Sequence, residues 1–245
     1  MRQLIGTGLL TLVVLAGSAS GASAASMDDP LSRQILAAMA RSSTWGHPDE
    51  FGEYTGMNYY ANGNYAKAMT RFLDSARYAD KLSQLCIGLM YLNGEGVAKD
   101  PVAAYAWVAI AAERNFPQFV ATRDAIWNQL DAGQRERARA LQDTLYAPYG
   151  DPVAKPRIIR ELRMARAETI DHYLGIPTMT IAPGGPAPPC GGNTIYGAPI
   201  AGCSGDFYAA WRWQPELYFK VRDSVWTGTV SVGDVQAIKD PGSGH

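Results

Sequence analysis

The sequence predicts a mainly α-helical protein: a short array of helical hairpins followed by a disulfide-tied, Pro/Gly-rich C-terminal extension that ends in a short β segment. Three observations predict it. Between residues 54 and 149, apolar residues recur at helical spacing between turns, and two stretches superimpose: Thr55-Gly56-Met57-Asn58-Tyr59 on Ile87-Gly88-Leu89-Met90-Tyr91, and Asn64-Tyr65-Ala66-Lys67-Ala68-Met69 on Pro101-Val102-Ala103-Ala104-Tyr105-Ala106. Small residues recur where paired helices must cross closely: Gly56 and Gly88 on one side, Ala66, Ala68, Ala103, Ala104 and Ala106 on the other. From residue 183 to 205, Gly and Pro are too dense for a helix or a central strand.

The chain begins with Arg2, an apolar run over residues 4–16, and the small-residue stretch Ala22-Ser23-Ala24. This is the pattern of a secretory signal over residues 1–24, cleaved after Ala24, and the run is short of the ~20 residues a bilayer-spanning helix needs. The expected location is periplasmic or secreted. With 245 residues, 47% hydrophobic and 18% charged, and a net charge of -1, the composition is that of a globular protein and gives no reason to expect a nucleic-acid partner. Two pieces are expected after the signal, a repeat domain over 27–150 and a C-terminal helix with an irregular or β extension over 151–245.

Asp28-Asp29-Pro30 reads as a helix start, followed at helical spacing by Leu31, Ile35, Leu36 and Met39. Residues 44–54, with Trp45, Gly46, His47, Pro48 and Gly52, have no sustained period and read as a loop. In the second unit, Asn93-Gly94-Glu95-Gly96 ends one helix with residues that tolerate left-handed backbone, and Asp100-Pro101 caps the next. Tyr91, Tyr105 and Trp107 are expected to fill the space between the helices.

The string running from Ile87-Gly88-Leu89-Met90-Tyr91-Leu92-Asn93-Gly94-Glu95-Gly96-Val97-Ala98-Lys99-Asp100 through Ala103-Ala104-Tyr105-Ala106-Trp107 to Ala111-Ala112-Glu113-Arg114 resembles a complete Sel-one-like repeat. The preceding unit lacks the Gly-x-Gly-Val-x-x-Asp turn and is more similar to a plain tetratricopeptide hairpin. The resemblance implies a short right-handed α/α superhelix whose inner groove takes peptide segments. It also implies a degenerate closing hairpin, for which residues 119–130 and 134–146 qualify, with Asp131 as cap and Gly133 at the bend.

Pro148-Tyr149-Gly150-Asp151-Pro152 and Lys155-Pro156 are helix breakers and mark the expected domain boundary. One more helix is predicted over 157–173. After Trp211-Arg212-Trp213-Gln214-Pro215, the stretch Tyr218-Phe219-Lys220-Val221 reads as a short helix or strand, and residues 225–232 as a strand or hairpin.

Chemistry-bearing patterns are sparse. His47, His172 and His245 are scattered, and no His-Glu-x-x-His, Cys-x-x-Cys, nucleophile elbow, phosphate loop or dinucleotide fingerprint occurs, so no metal or cofactor is expected. Glu168 and His172 stand four apart beside Asp171, a spacing that more often makes a surface contact than a ligand pair. Arg157, Arg160, Arg163 and Arg166 advance by three, which at ~100° per residue spreads them over half the helix. They form a patch suited to an anionic lipid, glycan or acidic protein surface, or simply a solvated face. The candidate partner-binding residues are therefore Asn58, Tyr59, Asn62, Tyr91 and Asn93 on the array, and these four arginines.

The function expected is that of an exported protein- or peptide-binding adaptor or scaffold in the cell envelope. A cell-envelope hydrolase or its accessory, and a secretion-system, immunity or structural component, are the alternatives. Ionisable groups converging deep inside the helical face would argue for a reaction centre.

Cys190 and Cys203 lie among Gly and Pro that can meet disulfide geometry, whereas Cys86 sits in an apolar run and behaves as a small apolar residue. A Cys190–Cys203 bond in an oxidising compartment would stabilise its segment by roughly 3 kcal/mol. Thiol titration of the denatured, unreduced protein is expected to find one free thiol; three would rule the pairing out.

Overall fold

The computed structural model describes Leu36, Ala37, Met39, residues 43–174 and residues 209–227, the side chains of 168–174 excepted. No strand occurs among the described residues. Leu36, Ala37 and Met39 are helical, where the N-terminal helix is expected. Helix α1 spans Pro48–Ala61, α2 Tyr65–Ala76, α3 Lys81–Asn93 and α4 Pro101–Ala111, followed by a 3-10 turn at Ala112–Arg114. Then come α5 (Pro117–Gln129), α6 (Ala132–Tyr149), α7 (Asp151–Leu174), α8 (Ala210–Trp213) and α9 (Pro215–Ser224).

Helices α1 and α2 pack as one pair, α3 and α4 as the next, and α2 joins them by packing on α3. Of the expected loop over 44–54, residues 44–47 are turn and loop, and α1 begins at Pro48. Pro48 sits in its first turn, where a missing N–H costs nothing, and Asp49 and Glu50 complement the positive end of the helix dipole. Asn64 caps α2 by accepting from Lys67 N. Asp80 caps α3 through Oδ1, which accepts from Leu82 N at 2.9 Å and Ser83 N at 3.2 Å. At the far end of α3, Gly94 adopts φ +80°, and Gly94 N and Glu95 N both donate to Met90 O at 2.9 Å. Asp100 Oδ1 then accepts from Val102 N (2.9 Å) and Ala103 N (3.0 Å), with Pro101 in the first turn of α4.

The close crossings fall on the two expected glycines. A Cβ on Gly56 would lie 2.5 Å from the Phe72 ring of α2, and one on Gly88 would lie 2.5 Å from Val108 Cγ2 and 3.0 Å from Ala104 O of α4. Ala68, Ala103, Ala104 and Ala106 are buried at these pairings, whereas Ala66 faces solvent, because the α2 stripe that meets α1 runs through Ala68, Phe72 and Ala76. Phe72, Met69, Ile87, Met90 and Trp107 fill the first core; Leu82, Leu85, Val108, Phe116, Phe119 and Ile126 fill the second. Cys86 borders both as a packing residue, and burial pushes its thiol upward. Trp107 packs with Ile87 and Met90 between α3 and α4 as expected and also meets Tyr149 of α6 (ring centroids 4.7 Å), whereas the Tyr105 ring meets Trp127 of α5 (4.7 Å).

The closing pair departs from a hairpin. Helices α5 and α6 both pack against α4. They meet each other at Trp127, where Arg135 donates to Trp127 O at 3.2 Å and the Arg139 guanidinium lies 4.8 Å from the indole centroid. Asp131 caps α6 in a reciprocal capping box with Gln134. The expected break at 148–156 shrinks to Gly150, with Pro148 inside the last turn of α6 and Pro156 inside α7. Pro152 sits at the start of α7, where Val153 N and Ala154 N already turn back to Gly150 O, so of the two prolines of α7 only Pro156 removes an interior ladder bond. At the C-terminus, Tyr218–Val221 is helix, begun at Pro215 with Glu216 in the first turn. Val225 and Trp226 form a turn; the rest of the expected β segment, and Cys190 and Cys203 with their expected disulfide, lie outside the described residues.

Gly88→Ala is expected to destabilise the protein by about 1–3 kcal/mol in urea unfolding, because its methyl would overlap Val108. Gly133→Ala, whose Cβ would meet nothing closer than 3.5 Å, is expected to stabilise by about 0.5–1 kcal/mol. Equal effects of the two would contradict the crossing geometry.

Candidate functional site

The expected partner-binding residues do not gather into one site. Asn62 and Asn93 are exposed, while Asn58, Tyr59 and Tyr91 are half-buried. Asn62 Nδ2 donates to Asn58 O at 2.7 Å, and Lys67 Nζ lies 5.5 Å over the Tyr59 ring. Tyr91 packs against both cores. An open recess beside Asn62, Gly63 and Asn64 is floored by Gly96, which lies too close to Tyr65 to carry a side chain. Arg160, Arg163 and Arg166 on α7 are exposed. Arg157 is not available with them: its Nη1 donates to Pro148 O (2.6 Å) and Arg77 O (3.1 Å), stapling α6, α7 and the end of α2. The side chains of Glu168, Asp171 and His172 lie outside the described residues.

Ionisable groups do converge, at a place the sequence reading passed over. The first turns of α1 bury Asp49 and Glu53, with Glu50 beside them, and Asp80 at the start of α3 adds a fourth carboxylate. The Ser75 hydroxyl of α2 stands 2.7 Å from Asp49 O and 2.8 Å from Asp80 Oδ2, locking the two helix starts together. Onto this acid floor come α8 and α9. Arg212 donates through Nη2 to Ser43 O and to Glu50 Oε2 (2.9 Å). The Tyr218 hydroxyl donates to Asp49 Oδ2 and lies 3.2 Å from Glu50 Oε1. Arg222 pairs with Glu53 and lies 3.5 Å from Asp80 Oδ2. His47 is fully buried between the rings of Trp213 (5.0 Å) and Tyr218 (5.2 Å).

A second ionic cluster lies next to the first. Lys81 Nζ reaches Glu113, Gln84 Oε1 (3.0 Å) and Asp151 (3.0 Å). Arg114 bridges Asp151 (2.8 Å) and Asp223 of α9 (2.8 Å), and also donates to Ala79 O at 3.0 Å. Ala79 is held there at φ +65°. Between the clusters, Asp49, Asp80, Lys81, Arg114, Tyr218 and Arg222 line a cavity of ≈ 20 Å³, room for about one water.

The electrostatics follow from a shortage of positive charge. Asp49, Glu53 and Asp80 share Arg222 as their nearest cation, and burial raises Asp49 to about 7 and Glu53 to about 8 against its pull. Burial acts on Glu50 in the same direction, but the Arg212 charge outweighs it and holds the carboxyl at about 2. Burial lowers His47 to about 3, so its ring is neutral at pH 7. Asp151 is held below the usual carboxylate range because its bonds to Arg114 and the Lys81 charge outweigh burial, while burial lowers Lys81. Among the described residues, no three His, Cys, Asp or Glu side chains are placed to hold a metal ion.

The seat had signals in the sequence. Pro48-Asp49-Glu50 is a helix start, Asp49 and Glu53 stand four apart, and so do Tyr218 and Arg222. Reading residues 44–54 as loop hid the acid face.

No family model matches the sequence, and no curated protein matches it. Among solved structures, it is similar to a protective antigen present in uropathogenic Escherichia coli strains, described as displaying an SLR fold. The two are 20% identical with a TM-score of 0.38, over 53% of this chain and 32% of that one. This chain thus spans about a third of that protein's length.

Because Asp49 and Glu53 titrate higher folded than unfolded, the stability they lend is complete below about pH 4 and is lost as pH rises through 7 and 8. Glu50 has the opposite sign, and its contribution disappears as pH falls from about 4.5 towards 2. The thermal midpoint is expected to fall between pH 6 and 8.5, and Glu53→Gln, which keeps an acceptor for Arg222, to flatten that fall. An unchanged slope in the variant would remove Glu53 from the account.

Proposed function

We propose that the protein is an exported helical-repeat adaptor of the Sel-one-like kind, holding a protein or peptide partner in the cell envelope by contact and shape. One observation carries the reading. Where ionisable groups converge, they are matched by arginines and a tyrosine of the same chain and leave space for about one water, which is no room for a substrate. Asn62 and Asn93 on the hairpins and Arg160, Arg163 and Arg166 on α7 face solvent from helices fixed by buried cores. Export is supported by Arg2, the apolar run over 4–16 and Ala22-Ser23-Ala24. No helix of the described residues is long and apolar enough to cross a membrane.

A hydrolytic reading has one observation in its favour. Glu50 at about 2 and Glu53 at about 8 are carboxyls driven apart by their surroundings, as acid–base catalysis requires. Their seat would first have to be vacated by Tyr218 and Arg222.

A photo-crosslinking residue at Asn62, Asn93 or Arg163 in intact cells is expected to give discrete crosslinked products in the envelope fraction, with none from Gln129. No product at the three positions, together with turnover of a glycan or peptide library by the purified protein, would transfer the assignment to the hydrolase.

A further inference from the structure

We propose that the acid seat at the start of α1 and α3 is a receptor for a basic, tyrosine-bearing helix of a partner protein, and that α8 and α9 occupy it as a displaceable stand-in. The proposal rests on the binding reading above and names the partner's chemistry. Complementarity sets that chemistry: Arg212, Tyr218 and Arg222 meet Glu50, Asp49 and Glu53 in turn, each contact joining groups more than 160 residues apart. Such contacts specify a helix by the positions of its cationic and phenolic groups.

Two features distinguish α8 and α9 from a permanent core element. Their fit is incomplete, because both ring nitrogens of His47, Asp49 Oδ1 and Arg212 Nε are buried without a hydrogen bond to any described residue. Native interiors leave few polar groups in that condition, and a helix donating to Asp49 and His47 would bind better than the resident one. The outward side of α9 is also unusual, since Leu217, Val221 and Val225, one helical turn apart, are each about 40% exposed. An apolar row turned to solvent suits a helix with a second resting place. Thirty-four residues separate Leu174 from Ala209, so release leaves the segment tethered.

The test uses the full chain and a fluorescein-labelled peptide of residues 209–227. Arg212→Ala/Arg222→Ala protein is expected to bind the peptide at least tenfold more tightly than wild type, whose seat is filled. A peptide with both arginines replaced by alanine should bind neither. A variant of wild-type helix content that takes up no peptide, or takes the altered peptide equally, overturns the proposal. If the variant does not fold, hydrogen exchange of the wild type decides: amides of 217–224 are expected to exchange at least tenfold faster than those of α3 and α4, and equal protection overturns it. A wild-type dimer whose subunits trade α8 and α9 would make a second copy the occupant and overturn the assignment to a partner. Failure here with crosslinking at Asn62 or Asn93 intact would leave the adaptor reading standing.

Discussion

The carboxylates of α1 need counter-charge that neither helical hairpin supplies. Asp49 and Glu53 are buried where Tyr218 and Arg222 cover the start of α1, and a buried carboxylate without a partner is among the costliest groups a fold can hold. Relief comes from two directions, through protonation, which burial favours for Asp49 and Glu53, and through Arg212 and Arg222 arriving from the far end of the chain. The close crossing at Gly52, where a Cβ would lie 2.7 Å from Ser75 Cβ, brings the start of α1 near enough for Ser75 and Asp80 to join the same network. Packing and charge are thus not separable here, since α8 and α9 both cover the carboxylates and bring the groups that answer them.

The same logic explains why the arginines of the molecule divide into two groups. Arg114, Arg157, Arg212 and Arg222 are committed to carboxylates or backbone carbonyls that join distant elements. Arg160 and its neighbours Arg163 and Arg166 stay on the surface, Arg160 beside Glu161 at 3.7 Å. A guanidinium fork can satisfy two acceptors at once, which suits it to junctions where lysine would leave one unmet.

Much of the repeat architecture was legible in the sequence because its determinants are local. Gly94 and Asp100-Pro101 define their turn by backbone conformation and capping, and Gly56 and Gly88 define crossings by the absence of a side chain, all readable within a few positions. The two halves of the seat left local signals, but their pairing was not legible, for the opposite reason. Asp49 acquires meaning only from Tyr218, 169 positions away, and nothing in the composition near either residue announces the other. Two misreadings have local causes. Proline is a helix breaker by its local chemistry, yet the helices absorb both Pro148 and Pro156; and Pro48, which lacks a periodic context, opens α1. The apolar stretch around Tyr218 suits strand and helix alike, and packing on Ile158 and Leu162 of α7 accompanies the helix.

Vectorial synthesis gives the long separation of Glu53 from Arg222 a temporal meaning. A ribosome delivers Glu53 when 169 residues of chain, counted to the Arg222 guanidinium, have yet to follow. During that interval Tyr218 and Arg222, which cover the acids in the finished molecule, have yet to be made. An early-made helix therefore reaches its final ionic state only when the C-terminal helices arrive.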